Sequence, residues 1–219
     1  MRILVIDDTQ AHISAALQTL SEGNELTTCS SYDEATELLE EKFDKTELDK
    51  KYKQYESEGI KNPYEKAMKE TVLPYWDAVL CDLLMPASGE QCRNHELVGQ
   101  EMPVGWSLAL VAAEGGAKYV AVVTDKSHHD HPASALLDRF SKHVFVIDGA
   151  KVLMTNYVER VGIIGTEYGS CEMCGGSGKR LYWDKTEIDC HSCNGSGKKF
   201  KEYGKNWGKI LKKLQGGDE

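Results

Sequence analysis

The chain has 219 residues, of which 41% are hydrophobic and 28% are charged. This composition supports a buried core and excludes a globally disordered chain. No apolar run approaches the ~20 residues that a membrane-spanning helix needs. The start, MRILVIDD, lacks the basic and small-residue segments of a secretory signal. The sequence therefore predicts a cytoplasmic protein with no membrane partner.

The net charge of −9 is unevenly distributed. The segment from Tyr168 to the end carries +3, and the residues before it carry −12. An acidic body of this kind argues against nonspecific wrapping of nucleic acid by the whole molecule.

Strand-like and helix-like segments alternate along the acidic part of the chain. Buried strands are predicted at 2–6, 25–29, 77–81, 119–123 and 144–147. Helices are predicted at about 9–20, 31–41, 104–114, 132–140 and 151–161. Because parallel strands need crossover connections, this alternation predicts an α/β fold with a five-stranded, parallel, doubly wound sheet.

Two insertions interrupt the alternation within a first domain predicted at 1–164. Residues 43–73 are rich in Lys, Glu, Asp and Tyr, and they predict a mostly exposed helical segment. This segment is either a solvated helix or an arm that docks a partner. Residues 83–103 are predicted to form a long loop with several prolines and glycines.

Polar side chains follow three of the predicted strands. Asp7 and Asp8 follow the first strand, Asp82 follows the third and Thr124 follows the fourth. The carboxyl ends of parallel strands meet at one edge, where three unpaired carboxylates would repel one another. Mg²⁺ would relieve this repulsion and favour phosphoryl transfer onto an aspartate, with Thr124 as a hydrogen-bond donor. Alternatively, Asp7 or Asp8 only caps the first helix and Asp82 only begins a loop.

The motifs ILVIDD, LCDLLMP and VVT resemble the receiver domain of two-component response regulators. The resemblance covers roughly residues 1–161 and implies a flavodoxin-like fold with Asp82 as the phosphoacceptor. It implies a Mg²⁺ site made by Asp8, Asp82 and the carbonyl of Leu84, with Asp7 as an outer or water-mediated ligand. It also implies a histidine kinase or a phosphotransfer protein as the partner that supplies the phosphoryl group.

The same resemblance implies Thr124 as the switch hydroxyl and Phe145 as the aromatic switch residue. Receivers usually carry Lys-Pro directly after the fifth strand, whereas here Asp148-Gly149-Ala150 precedes Lys151. Lys151 would then reach the site from the start of the last helix. This departure leaves open a scaffold with the receiver fold that works without phosphorylation.

An aspartate-nucleophile hydrolase is a further alternative. Phosphatases of that class usually carry D-x-D after the first strand, whereas this chain has Asp7-Asp8-Thr9. We therefore expect no enzyme activity beyond phosphoryl acceptance and slow self-dephosphorylation.

Two copies of the motif C-x-x-C-x-G-x-G lie near the C-terminal end, at 171–178 and 190–197. Their thiolates, from Cys171, Cys174, Cys190 and Cys193, predict one structural zinc ion in a module at 165–200. The segment 179–189 between them suits a β-hairpin. The motif resembles the zinc finger of DnaJ-type chaperones, although no J-domain signature is present. A disulfide or redox role for these cysteines stays open.

The segment 201–219 is predicted to be a basic tail. Phe200, Tyr203 and Trp207 lie among the lysines of residues 198–214, so this stretch could bind single-stranded nucleic acid or an acidic partner. It could equally dock Ile210 and Leu214 on the body.

Three histidines follow Thr124 along the chain, at His128, His129 and His131. They could form a second metal site, or they could lie in a solvated loop.

Together these features predict a response-regulator-like protein in which phosphorylation of Asp82 controls output through the zinc module. The downstream target would be a protein or a nucleic acid. The alternatives are the phosphorylation-independent scaffold and a zinc-dependent binding protein.

Overall fold

The centre of the molecule is a six-stranded sheet with helices on both faces. The computed structural model describes residues 1–40, 42–73, 75–86, 96–140 and 143–217, with the side chains at positions 42 and 73 left out. In chain order the elements are β1 (Arg2–Ile6), α1 (Gln10–Leu20), β2 (Glu25–Cys29), α2 (Tyr32–Leu38), β3 (Lys42–Phe43), α3 (Lys45–Ser57), α4 (Pro63–Thr71), β4 (Val72–Leu73), β5 (Ala78–Asp82), β6 (Met85–Pro86), β7 (Glu101–Met102), α5 (Gly105–Glu114), β8 (Tyr119–Val123), α6 (Pro132–Leu137), β9 (Val144–Ile147), β10 (Ala150–Thr155), β11 (Arg160–Gly162), β12 (Glu167–Ser170), β13 (Lys179–Leu181), β14 (Glu187–Asp189), β15 (Lys198–Phe200), β16 (Tyr203–Lys205) and α7 (Trp207–Leu214).

The strand order in the sheet is β2-β1-β5-β8-β10-β9. The first five strands pair in parallel, and β9 pairs with β10 in the antiparallel sense. The predicted α/β architecture is therefore confirmed, with a six-stranded, mostly parallel sheet in place of the predicted five-stranded, parallel one. Among the described residues, no helix is long and apolar enough to cross a lipid bilayer.

The prediction is wrong for the fifth strand and the last helix. Residues 144–147 form the antiparallel edge strand β9, and the fifth parallel strand is β10, in a segment predicted to be helical from Lys151. The reason is a tight hairpin, in which Asp148 (φ 47°) and Gly149 (φ 83°) join Ile147 directly to Ala150. Asp-Gly with positive φ at both residues is the preferred two-residue turn between antiparallel strands.

Alternating residues of the strands pack on opposite faces of the sheet. Ile3 and Val5 of β1 contact the cluster that holds α1 and α7, whereas Leu4 and Ile6 contact the cluster that holds α5. All four side chains are fully buried. Because both faces are covered, β1 must be a continuous apolar run rather than an alternating one.

The first insertion is helical, as predicted. Its two helices, α3 and α4, pack around a small core of their own. Leu48, Tyr55 and Ala67 are buried there, and the Tyr55 hydroxyl donates to Glu70 at 2.5 Å. At its base, β3 pairs with β4. In the second insertion β6 pairs with β7, and residues 87–95 of the predicted loop lie outside the described residues.

The C-terminal segment belongs to the body rather than to a separate tail. Trp207 is fully buried, and Ile210 and Leu214 pack in the same cluster as α1, which confirms the docking interpretation. Strand β16 lies against α1, where a Cβ at Gly204 would come 2.3 Å from the Ala11 carbonyl oxygen. The body is therefore discontinuous, and the cysteine-rich module is inserted between β11 and β16.

This arrangement predicts that two tryptophans contribute very differently to the free energy of unfolding. Trp207→Ala should lower the free energy of unfolding by about 3–5 kcal/mol, because it removes a fully buried side chain. Trp183→Ala should change the free energy by less than about 0.5 kcal/mol, because Trp183 is 84% exposed. Urea unfolding of the full chain measures both, and equal effects would contradict the packing of α7 on the body.

Candidate functional site

An acidic pocket lies at the carboxyl edge of the sheet. Asp7 follows β1, Asp82 ends the adjacent strand β5, and Asp8 lies beside them. Oxygens from all three carboxylates lie within 4.8 Å of one another. Asp7 and Asp82 are buried, whereas Asp8 is exposed. The structure thus brings together the three carboxylates that the sequence predicted, because parallel pairing of β1 with β5 aligns their ends.

Lys205 supplies a buried positive charge between two of these carboxylates. Its Nζ lies 2.7 Å from Asp7 Oδ2 and 2.8 Å from Asp82 Oδ1. The Lys205 side chain is fully buried, and its ammonium also lies 5.4 Å from the centroid of the Trp207 ring. Lys205 was not predicted from the sequence, because the receiver resemblance places the pairing lysine directly after the fifth strand.

His12, on α1, contacts Asp7 on the side away from Lys205. Its Nδ1 lies 3.0 Å from Asp7 Oδ1, and its Nε2 lies 3.5 Å from Asp125 Oδ2. Asp125 also accepts a 2.6 Å hydrogen bond from Arg160 of β11. With a carboxylate at each ring nitrogen, the imidazolium form fits this position best. Its place in the first turn of α1, directly after the Asp7-Asp8 pair, was the sequence signal that could have revealed it.

The buried charges shift the pKa values of the pocket in different directions. Burial and the charge of Asp7 raise the pKa of Asp82 to about 6, although Lys205 works in the opposite direction. For Asp7, burial raises the pKa, but Lys205 and His12 outweigh it and bring the pKa below its usual value. Of the two buried carboxylates, Asp7 is therefore ionised at neutral pH, and Asp82 changes charge near pH 6.

Asp82 uses only one of its oxygens in the hydrogen bonds found among the described residues. Oδ1 accepts from the backbone N–H of Leu83 at 2.9 Å and from Lys205. Oδ2 is left for a ligand or a reacting group. Leu84 lies buried between β5 and β6.

Thr124 lies next to Asp82 at the same edge. It directly follows β8, whose Val123 is paired with Asp82, and it is 1% exposed. Its Oγ1 accepts from the backbone N–H of Lys126 at 3.2 Å, which leaves the hydroxyl proton for another acceptor. The structure thus places Thr124 where the sequence predicted.

Lys151 and Phe145 do not lie where the sequence predicted. Lys151 sits at the start of β10, paired across the sheet with Tyr119 at the amino end of β8, so it belongs to the edge opposite the pocket. Phe145 lies on β9 and packs against Phe140, with ring centroids 5.8 Å apart. Both differences follow from the hairpin that makes β10 the fifth parallel strand.

The three histidines after Thr124 do not form a metal cluster. His128 Nε2 and His129 Nε2 lie 2.7 Å apart, and His131 Nδ1 accepts from the Ala133 amide at the start of α6. Among the described residues, clusters of three or more candidate ligands occur only at the acidic pocket and at four cysteines.

The four cysteines form a second centre, in the inserted module. The Sγ atoms of Cys171 and Cys190 are 3.9 Å apart, and those of Cys174 and Cys193 are 3.7 Å apart. A tetrahedral shell with Zn–S bonds of ~2.3 Å requires sulfur atoms ~3.8 Å apart. All four sulfurs lie within 4.8 Å of one another, so this cluster could hold a zinc ion as predicted. The four cysteines are free thiols rather than disulfides.

Backbone amides prepare part of this cluster for metal binding. Burial raises the pKa of the Cys171 thiol, but hydrogen bonds from the amides of Cys174 and Met173 outweigh it and bring the pKa to about 6. The Gly178 amide donates to Cys174 Sγ at 3.3 Å. The predicted hairpin between the knuckles is confirmed as the β13–β14 pair. Thiolates held by amide donors suit a divalent, thiophilic cation.

Comparisons of the chain with protein-family models, with curated proteins and with solved structures found no match.

The burial of Lys205 predicts a large and specific loss of stability. Lys205→Met should lower the free energy of unfolding by about 3–5 kcal/mol, because it leaves buried carboxylates without their cation. Lys209→Met is the matched control, since Lys209 pairs with Glu159 at an exposed site and should cost at most about 1 kcal/mol. Urea unfolding measures both variants, and a Lys205→Met loss no larger than the control would contradict a buried ion triad.

The charge of Asp7 predicts the pH at which Asp82 ionises. In the metal-free protein the Asp82 carboxyl should titrate near pH 6, as measured by carbon-13 NMR of the aspartate carboxyls. Asp7→Asn should lower this midpoint, because the charge of Asp7 raises the pKa of Asp82 and because Lys205 would then pair with Asp82 alone. Asp77→Asn should leave the midpoint nearly unchanged, because Asp77 lies at the other end of β5, where it accepts from the Arg2 amide. A midpoint that stays near 6 in Asp7→Asn would refute the coupling.

Proposed function

We propose that this chain is a signalling protein that accepts a phosphoryl group on Asp82. The observation that carries the proposal is the buried ammonium of Lys205 between Asp7 and Asp82, at the carboxyl edge of a parallel sheet. Thr124 completes the set with a hydroxyl from the neighbouring strand. The parallel strands follow the order 2-1-3-4-5 of doubly wound folds, which supports the receiver resemblance.

Asp82 Oδ2 accepts no hydrogen bond within the described part of the chain, so it is suited to act as the nucleophile. In the proposed reaction, Oδ2 attacks phosphorus and the P–N bond of a phosphorylated imidazole breaks. The bonding electrons leave with the imidazole, which then takes up a proton, and Asp82 becomes an acyl phosphate. Lys205 and Thr124 would stabilise the negative charge on the transferred phosphoryl oxygens. The donor would be a histidine kinase or a phosphotransfer protein.

The residues of the pocket also fit a hard divalent cation such as Mg²⁺. Asp8 is an exposed carboxylate beside Asp82, and its pKa is raised by partial burial and by the charge of Asp7. A cation bound nearby would therefore stabilise the ionised form of Asp8. Asp8, Asp82 and the Leu84 carbonyl would hold the ion, with Asp7 behind them. When bound, Mg²⁺ neutralises charge on the phosphoryl oxygens.

The cysteine module is the proposed output element, with one structural zinc ion. Its hairpin exposes an apolar tip, where Leu181 is 68%, Tyr182 is 51% and Trp183 is 84% exposed. Aromatic side chains on a rigid hairpin are effective anchors for a macromolecular partner. The downstream partner would be a protein or a nucleic acid.

Phosphodonor labelling tests the proposal directly. The full chain is incubated with Mg²⁺ and phosphoramidate and then treated with borohydride, which converts an aspartyl phosphate to homoserine that mass spectrometry locates. We expect labelling at position 82, loss of labelling in Asp82→Asn, and full labelling in Asp77→Asn. Asp77 is a suitable control because it lies at the opposite end of β5, where it binds the Arg2 amide. An unlabelled Asp82 in a folded protein would overturn the proposal.

One observation favours a second candidate, a scaffold that works without phosphorylation. Asp7 and Lys205 are fully buried, so the charges of Asp7, Lys205 and Asp82 are already paired with one another inside the fold. In that case the pocket would be a structural element that ties the C-terminal segment to the sheet. A folded protein that titrates at Asp82 but never accepts phosphoryl would favour this candidate.

A further inference from the structure

Lys205 reaches the acidic pocket from the chain segment that returns from the cysteine module. The chain leaves the body along β11 and comes back along β16, and these strands pair with Arg160 opposite Lys205. Farther out, β12 pairs with β15. Together the two pairs form a two-stranded stem, which we define as β11, β12, β15 and β16. The cysteine cluster lies at one end of the stem and Lys205 at the other.

The outer part of the stem has few buried side chains besides the cysteines. Phe200, at the junction with β11, is buried, and the ion pairs Lys198–Glu167 and Lys199–Glu172 lie at partly exposed sites. Beyond them, the hydrophobic cluster found among the described residues consists of the four cysteines. The Cys171 amide donates to the Gly197 carbonyl at 2.9 Å, so the knuckles join the stem directly. An isolated two-stranded ribbon is marginally stable, and small modules of this kind take their folding energy from the metal.

The inner part of the stem packs closely on the body. The Gly162 carbonyl accepts from the Gln18 side chain of α1 at 3.1 Å, and Gly204 of β16 lies against Ala11 of the same helix. Where the inner and outer parts of the stem meet, a Cβ at Gly162 would lie 2.2 Å from the Phe200 ring. The Ile163 amide donates to the Glu202 carbonyl, next to β16. On its other side, Lys205 is followed by Asn206, which caps α7, and by buried Trp207. Lys205 is thus held from one side by α7 and from the other by the stem.

We propose that the four-cysteine cluster is a metal input to the acidic pocket. Binding of a thiophilic, tetrahedral divalent ion such as Zn²⁺ holds the stem closed and keeps Lys205 between Asp7 and Asp82. Loss of the ion opens the stem from its outer end and releases Lys205 from the carboxylates. The consequence for phosphoryl acceptance rests on the proposed function, whereas the coupling between metal and lysine does not.

Amine labelling of Lys205 tests the coupling in the full chain. The protein is treated with acetic anhydride when loaded with zinc, after removal of zinc by a chelator, and after zinc is added back. Mass spectrometry reports acetylation of Lys205, which is fully buried, and of Lys209, whose side chain is 51% exposed and serves as the internal reference. We expect removal of zinc to raise the Lys205 rate about tenfold or more, with the Lys209 rate unchanged and the effect reversed by zinc.

A pair of cysteine variants provides the second measurement. Cys190→Ala should reproduce the effect of the chelator, whereas Cys29→Ala should not, since Cys29 is a buried thiol outside the cluster. Hydrogen exchange distinguishes local opening from unfolding, because β15 and β16 should exchange faster while β1 and β5 stay protected. Faster exchange in all strands, or an unchanged Lys205 rate after zinc removal, would overturn the proposal.

The phosphodonor assay separates the two proposals. Zinc-dependent labelling of Lys205 without phosphorylation of Asp82 would leave the metal input standing and remove the proposed function. If Asp82 is phosphorylated but the acetylation rate of Lys205 does not depend on zinc, the proposed function would stand and the metal input would be refuted.

Discussion

The fold depends on placing one ammonium group between two buried carboxylates. Removing charged groups from water costs several kcal/mol for each ion, and only close pairing with good hydrogen bonds recovers that cost. Lys205 meets this condition with contacts of 2.7 and 2.8 Å to Asp7 and Asp82. The parallel sheet delivers the carboxylates, and only a segment that folds back onto the body can deliver the lysine. The C-terminal strand and helix are therefore parts of the site.

The need to pair buried charges extends to the residues around the pocket. His12 links Asp7 to Asp125, and Asp125 also pairs with Arg160. The Trp207 indole donates to the His12 carbonyl at 3.1 Å, so the helix that follows Lys205 is tied to the helix that carries His12. The charges, the helix packing and the returning strand form one connected unit. The strands β11 and β16 belong both to this unit and to the base of the inserted module.

Much of the architecture could be predicted from local sequence patterns. The strands β1, β5 and β8 are short apolar runs, and each is followed or ended by a polar residue, so Asp7, Asp82 and Thr124 were placed at one edge. The two C-x-x-C-x-G-x-G motifs likewise predicted a cluster of four sulfurs. The prediction failed at residues 144–161, where Leu153, Tyr157 and Val161 have helical spacing. The Asp148-Gly149 turn decided the outcome instead, because its positive φ values suit a hairpin.

The sequence by itself determined the residues whose chemistry depends on short-range spacing, namely the aspartates that end buried strands and the paired cysteines. Only the tertiary structure decided which cation meets the aspartates. Lys205 lies 123 residues from Asp82 and 198 residues from Asp7 along the chain. A contact over such distances has no local signature, since it exists only when the sheet, the inserted module and α7 have all reached their places. The physical reason is that a buried charge needs a partner of opposite charge at close range. Which groups are buried together is decided by the whole fold.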